Sequence, residues 1–124
     1  MPKVLIVDDE SFIRFLLEQT LEELEDEGVE LISADNGETA LEIIRTELPD
    51  IVFLDVMMPK MNGFDVCNKV KNELGLRDVY IVLLTAKGQE FDKQKGIDAG
   101  ADIYMTKPFN PDDVLAKAKE ILAL

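Results

Sequence analysis

The sequence predicts an α/β fold: one doubly wound domain over residues 1–124, with a five-stranded parallel sheet covered by helices on both faces. Two observations lead there. Short apolar runs alternate five times with helix-length segments, and no linker, repeat or low-complexity stretch interrupts the series. Three of those runs barely alternate between apolar and polar residues, as expected of strands buried on both sides by crossover helices. A chain of 124 residues that is 47% hydrophobic suffices for one domain with a sizeable core.

The first strand is VLIV, residues 4–7. A helix follows over 12–26, where Phe12, Ile13, Leu16, Leu17, Leu21 and Leu24 fall at helical spacing, and Gly28 stops it as a left-handed cap. The second strand is VELISA, 29–34, and the second helix, 37–48, carries Ala40, Leu41, Ile44 and Leu48 on one stripe before Pro49 ends it. IVFL, 51–54, is the third strand, followed by a helix over 64–74 with Cys67, Val70, Lys71 and Leu74 on one side and Gly75 as terminator. The fourth strand is YIVLL, 80–84; the helix after it, 89–98, is weakly amphipathic, with only Phe91 and Ile97 strongly apolar. ADIYM, 101–105, is the fifth and weakest strand. The last helix spans 111–123: Asn110 caps it, Pro111 takes the first helical position, Asp113 stands at the capping-box position, and Leu115, Ala118 and Leu122 form its stripe.

Ligands of such folds bind outside the carboxyl ends of the strands. That rule selects Asp8 and Asp9 after strand one, Asp55 after strand three, Thr85 after strand four, and Thr106, Lys107 and Pro108 after strand five. Three carboxylates gathered at one rim repel each other and titrate as a coupled unit. A divalent cation removes the conflict, and hard oxygen ligands suit magnesium. Lys107 has a stem long enough to bring an ammonium to the same rim, and Thr85 adds a hydroxyl. A metal, a carboxylate, an ammonium and a hydroxyl make a phosphoryl site, with a carboxylate as nucleophile. Position alone does not say which acid attacks; Asp55 stands alone, whereas Asp8 and Asp9 are adjacent, as paired metal ligands could be.

Composition bounds the rest. A net charge of −13 argues against direct contact with nucleic acid or an anionic membrane. There is no His, so acid–base or metal chemistry must rest on carboxylates. A single cysteine, Cys67, fits a reducing compartment, and no apolar run nears the ~18 residues of a membrane span. With no apolar leader after Met1, the expected location is the cytoplasm.

Four motifs carry a resemblance that covers essentially the whole chain: VDDE (7–10), FLDVMMPKMNGFD (53–65), LLTAKG (83–88) and DAGADIYMTKPF (98–109). Together they are very specific, and the chain resembles the receiver domain of two-component response regulators, the family that includes the single-domain chemotaxis response regulator. The resemblance implies a flavodoxin-like (βα)5 architecture with strand order 2-1-3-4-5, an order known for the family and not deduced from the residues. It implies that Asp55 is the phosphoacceptor, receiving its phosphoryl group from the phosphohistidine of a sensor kinase or phosphotransfer protein. Asp8 and Asp9 are implied as the acidic pair holding Mg2+, with Asp55 and the backbone carbonyl of Met57 as further ligands. Lys107 is implied to pair with the phosphoryl oxygens, Pro108 to follow a cis peptide bond, Thr85 to be the switch hydroxyl, and Tyr104 the switch aromatic. Such a protein is not a conventional enzyme: it promotes its own Mg-dependent phosphorylation and dephosphorylation. Phosphorylation would pull Thr85 and Tyr104 inward and present a changed 89–124 face to a downstream protein target.

Other residues are read more plainly. Ala86 is small enough to leave the switch room, and Gly63 supports the turn after the phosphoacceptor loop through conformational freedom. Phe12, Phe15 and Phe64 are read as packing residues and Cys67 as a core residue. The resemblance also implies that Met57 and Lys87, two positions beyond the phosphoacceptor and two beyond the switch hydroxyl, influence access of water; Lys87 is read either as steering anions toward the site or as reaching solvent, with the second favoured. Two other function classes compete. A phosphorylation-independent interaction module on the same fold is opposed by the intact set Asp55, Thr85 and Lys107. A flavin-binding electron carrier would need a phosphate-cradling loop after strand one, where this chain has DDES. The end at Leu124 fits a stand-alone receiver or one cut from a longer regulator, and the reading leans to the first.

Overall fold

The structure, a computed structural model, describes residues 1–86 and 93–124. The expectations for Lys87, for Phe91 and for the start of the 89–98 helix lie outside the described residues.

Five parallel strands form one sheet: β1 (Lys3–Val7), β2 (Glu30–Ala34), β3 (Ile51–Asp55), β4 (Tyr80–Ala86) and β5 (Ile103–Lys107). Their order is β2-β1-β3-β4-β5, as the resemblance implied. The helices are α1 (Ser11–Leu21), α2 (Gly37–Glu47), α3 (Gly63–Asn68), α4 (Lys93–Ala99) and α5 (Pro111–Leu122).

The two faces of the sheet bury different residues of the same strands. Leu5, Val7, Val52, Leu54, Ile81 and Leu83 point to one side, where they meet Ala40 and Ile44 of α2, Val66 and Cys67 of α3, and Ala99 of α4. Val4, Ile6, Ile51, Phe53, Val82 and Leu84 point to the other, against Leu17 and Leu21 of α1 and Val114 and Ala118 of α5. Strands with both faces covered read as unbroken apolar runs, which is why β1, β3 and β4 were legible.

Several boundaries and packing expectations are corrected. The helix expected to 26 ends at Leu21 and tightens into a 3-10 segment, Glu22–Glu27. Its five acids would stack like charges four residues apart in an α-helix, which is unfavourable, while Leu24 stays buried. Gly28 caps it at φ 85, as expected. Helix α3 starts one residue early and widens into a π-type turn over Lys69–Glu73, closed by Leu74 N–H on the Lys69 carbonyl at 2.8 Å. The wider turn rotates Leu74 out of its expected stripe, and it is exposed. Leu48 likewise leaves its stripe, in a left-handed cap at φ 48, and is exposed. Phe12 and Phe15 are 65% and 53% exposed, so they are surface residues and not packing residues. They flank the buried stripe of α1, which is set by Leu17 and Leu21. Ile97 is also exposed; α4 docks through Gly96 and Ala99.

β5 runs two residues later than expected. Asp102 belongs to the turn before it, where its Oδ2 accepts the Ile81 N–H at 2.8 Å. Thr106 and Lys107 are therefore the last residues of the strand and not its successors. Asp55 and Thr85 likewise lie inside the ends of β3 and β4. At α5, Asn110 caps as expected, through its side chain on the Asp112 N–H at 2.8 Å.

Candidate functional site

The carboxyl ends of β1, β3 and β5 bring together the groups the sequence singled out. Asp8 directly follows β1, and its N–H continues the ladder to Ala34 of β2 at 3.3 Å. Its side chain is fully buried. Oδ1 accepts the Glu10 N–H at 2.9 Å, which fixes the entry into α1. Asp55 ends β3, is 4% exposed, and is held in register beside Leu84 of β4. Asp9 stands exposed beside them. Carboxylate oxygens of Asp8, Asp9 and Asp55 all lie within 4.8 Å of one another.

Among the described residues, one ammonium answers this charge. Lys107, at the end of the edge strand β5, reaches Asp8 Oδ2 at 3.0 Å and Asp55 Oδ1 at 3.3 Å. The Lys107–Pro108 peptide bond is cis, as the resemblance implied. The compensation is incomplete. Burial, and next the charge of Asp8, push the Asp55 carboxyl from its ordinary 3.8 up to about 7, against the opposing pull of Lys107. Burial works against the charge of Lys107, but its hydrogen bond to Asp8 and the charge of Asp55 prevail and raise its pKa. The site thus carries surplus negative charge on hard oxygen ligands. That donor set fits a divalent cation of the magnesium class.

The remaining expected residues fall around this centre. Thr85 is buried, with its hydroxyl donating a long contact of 3.5 Å to the Met105 carbonyl, and not to the acids. Ala86 lies beside Lys107 in the β4–β5 register. Tyr104 is 44% exposed, and the Met57 side chain 61%. Gly63 is required for a reason other than the one expected. Its φ is not left-handed; a Cβ there would overlap the Asp55 carbonyl oxygen and come within 2.9 Å of Val56 Cα. Its N–H closes the loop onto the Val56 carbonyl at 2.8 Å.

Two features escaped the sequence. Arg14 Nη1 donates to the Asp8 carbonyl at 2.6 Å and so braces the acidic loop from α1. A cation on the inner half of an amphipathic helix, one turn beyond an acidic strand end, was the available signal. Lys71, 2% exposed, pairs with Asp102 at 2.9 Å and donates to the Arg77 carbonyl at 3.1 Å. Its place in an otherwise apolar stripe is visible in the sequence, but a lysine's partner on a distant segment is not readable from periodicity.

Comparison with known proteins agrees with this geometry. The family described as "Response regulator receiver domain" matches residues 4–119. The alkaline phosphatase synthesis transcriptional regulatory protein PhoP of Bacillus subtilis is 47% identical over 97% of this chain and 48% of its own length. The chain thus spans about half the length of the curated relatives it matches. Among solved structures, a response regulator from Chloroflexus aurantiacus is 36% identical with a TM-score of 0.84, each chain being covered in full. The chemotaxis protein CheY4 of Vibrio cholerae is 34% identical with a TM-score of 0.82, over 98% of both chains.

Proposed function

Because the chain belongs to the response regulator receiver domain family of two-component signalling, we propose that Asp55 is its phosphoacceptor. The observation that carries the reading is the shared ammonium: Lys107 bonds both Asp8 and Asp55 from the edge of the sheet. A lysine so placed can turn from a carboxylate to a phosphoryl group built on that carboxylate.

The donor is a phosphohistidine on a sensor kinase or phosphotransfer protein. An Asp55 carboxylate oxygen attacks phosphorus in line with the leaving nitrogen. The new O–P bond forms as the N–P bond breaks, and the electron pair stays on the imidazole. Asp55 must be deprotonated to attack, so its raised pKa favours transfer at neutral pH and above. Asp8, Asp9, Asp55 and the Met57 carbonyl would hold Mg2+, which when bound neutralises charge on the phosphoryl oxygens. Lys107 releases Asp55 and pairs with the same oxygens. Thr85 gives up its long contact to Met105 and donates to the phosphoryl group, and Tyr104 follows inward from its exposed position. The 89–124 face then changes for a protein partner. Hydrolysis of the acyl phosphate resets the site.

Among the described residues no helix is long and apolar enough to cross a membrane, which supports a cytoplasmic setting. The longer relatives named as transcriptional regulators support a second setting, as the phosphorylatable part of such a regulator.

The test is incubation with acetyl phosphate, with and without Mg2+, followed by intact mass measurement. The wild type gains one phosphoryl group only with Mg2+, and Asp55→Asn gains none. A gain that persists in Asp55→Asn would move the role to another acid.

A further inference from the structure

Gly37 is the first residue of α2 and is buried. It lies outside the acidic cluster, and its φ is not left-handed, so no unusual backbone conformation explains a glycine there. Space does. A Cβ at this position would overlap the Met61 carbonyl oxygen and lie 2.7 Å from Met61 Cβ and 2.8 Å from the Met61 carbonyl carbon. No side chain fits unless the Met61 backbone moves.

Met61 belongs to the loop joining Asp55 to α3. The two ends of that loop are fastened. Val56 N–H donates to the Leu84 carbonyl at 3.1 Å, and Gly63 N–H donates to the Val56 carbonyl at 2.8 Å. Asn62 caps α3 on the Asp65 N–H at 2.9 Å. The helix beneath is equally fixed: Asn36 caps it on the Thr39 N–H at 2.9 Å, and Ala40 and Ile44 are in the core. A push on Met61 is therefore taken up in residues 57–60. Lys60 is already left-handed there, at φ 70, and Met61 N–H is tied to the Pro59 carbonyl at 2.8 Å. Little slack remains ahead of Met57.

We propose that Gly37 is a positioning residue for cation binding and phosphorylation. Its missing side chain seats Met61 against α2, which keeps the Met57 backbone presented to the carboxylates. The inference rests on the reading of Asp55 and Met57 given above.

The test compares Gly37→Ala with Gly28→Ala, which strains a left-handed residue at φ 85 but meets nothing within 4 Å. Three quantities are measured: the Mg2+ dissociation constant by calorimetry, amide shifts of the metal-free protein by NMR, and the rate with acetyl phosphate across a Mg2+ series. Gly37→Ala is expected to weaken Mg2+ binding by about tenfold, the size of effect that supporting residues around a metal have. Its Val56 and Met57 amides shift, and its rate deficit closes as Mg2+ is raised. Gly28→Ala loses thermal stability but keeps wild-type Mg2+ affinity and amide shifts at 56–57. A folded Gly37→Ala with wild-type affinity and unmoved amides overturns the proposal. If Gly37→Ala does not fold, Met61→Gly decides instead, since it removes the Met61 side chain that packs the loop against the core and frees the backbone at the point of contact with α2: weaker Mg2+ binding supports the proposal, and unchanged binding overturns it. A wild type that binds Mg2+ but takes no phosphoryl group would overturn the proposed function, while the affinity and amide readouts would still decide the role of Gly37.

Discussion

Replacing Asp55 with Asn should stabilise the metal-free protein, and the gain should depend on pH in a defined direction. Asparagine keeps the shape and one acceptor for Lys107, and removes one of two buried charges that share that lysine. The Asp55 carboxyl titrates near 7 in the fold and near 3.8 when unfolded. Between those values the native protein holds a proton that the unfolded chain has released. Stability therefore falls as pH rises through the window, with no contribution below it and the full loss above it. About three units at 1.36 kcal/mol each would give about 4 kcal/mol. The rim is open to water beside exposed Asp9, and solvent screening reduces this to on the order of 2 kcal/mol. Urea unfolding followed by circular dichroism, in chelator, measures the difference between mutant and wild type at steps from pH 4.5 to 8. Titrations common to both proteins cancel. The mutant's advantage should grow by about 2 kcal/mol across that range, and saturating Mg2+ should shrink it by stabilising the wild type more. A difference that stays flat with pH, or that reverses sign, would show that burial and Asp8 do not strain Asp55.

Lys107→Met should slow phosphorylation by acetyl phosphate by about 10²-fold or more, as loss of a preorganised charge at a reacting group does, measured by mass spectrometry. Lys71→Ala should cost about 2 kcal/mol in urea unfolding, because it removes a buried side chain together with its bonds to Asp102 and to the Arg77 carbonyl, yet leave Mg2+ affinity unchanged. Thr85→Ala should still accept a phosphoryl group but fail to move Tyr104; tyrosine fluorescence reads this cleanly in a chain with two Tyr and no Trp. Phe12→Ser should change stability by less than about 0.5 kcal/mol, as exposed sites do; a larger loss would return Phe12 to the core.

The elements that were legible in the sequence are those whose constraint is local. A strand covered on both faces must be apolar at successive positions, so β1 and β3 announced themselves and placed Asp8 and Asp55 at their ends. The stop at Gly28 and the start at Asn110 are also local, set by backbone conformation and by a side chain bonding its own neighbours. Phe12 and Phe15 misled because spacing reports that a stripe exists, whereas the width of the stripe depends on which helix lies alongside. The turn after α3 was hidden because its wider winding goes with a lysine buried against Asp102, a contact made across the fold. Gly63 was noticed but explained by conformational freedom; the actual reason, a backbone passing over Asp55, exists only once β3 and α3 are in place. Three acids at one rim look alike to electrostatics; the preference for Asp55 over Asp8 and Asp9 began from its standing alone in the sequence, and family resemblance then gave it the acceptor role.

The bond between Lys107 and Asp8 joins residues 99 positions apart. Nearly the whole chain must be made and folded before the ammonium arrives, because β5 is the edge strand added last along the sequence. Until then Asp8 and Asp55 lack the counter-charge that Lys107 supplies in the fold. A nascent or truncated chain lacking β5 could thus pair its first four strands and still present no competent acceptor. If Lys107 acts as proposed, placing the last charge of the site on the last strand ties full reactivity to completion of the sheet.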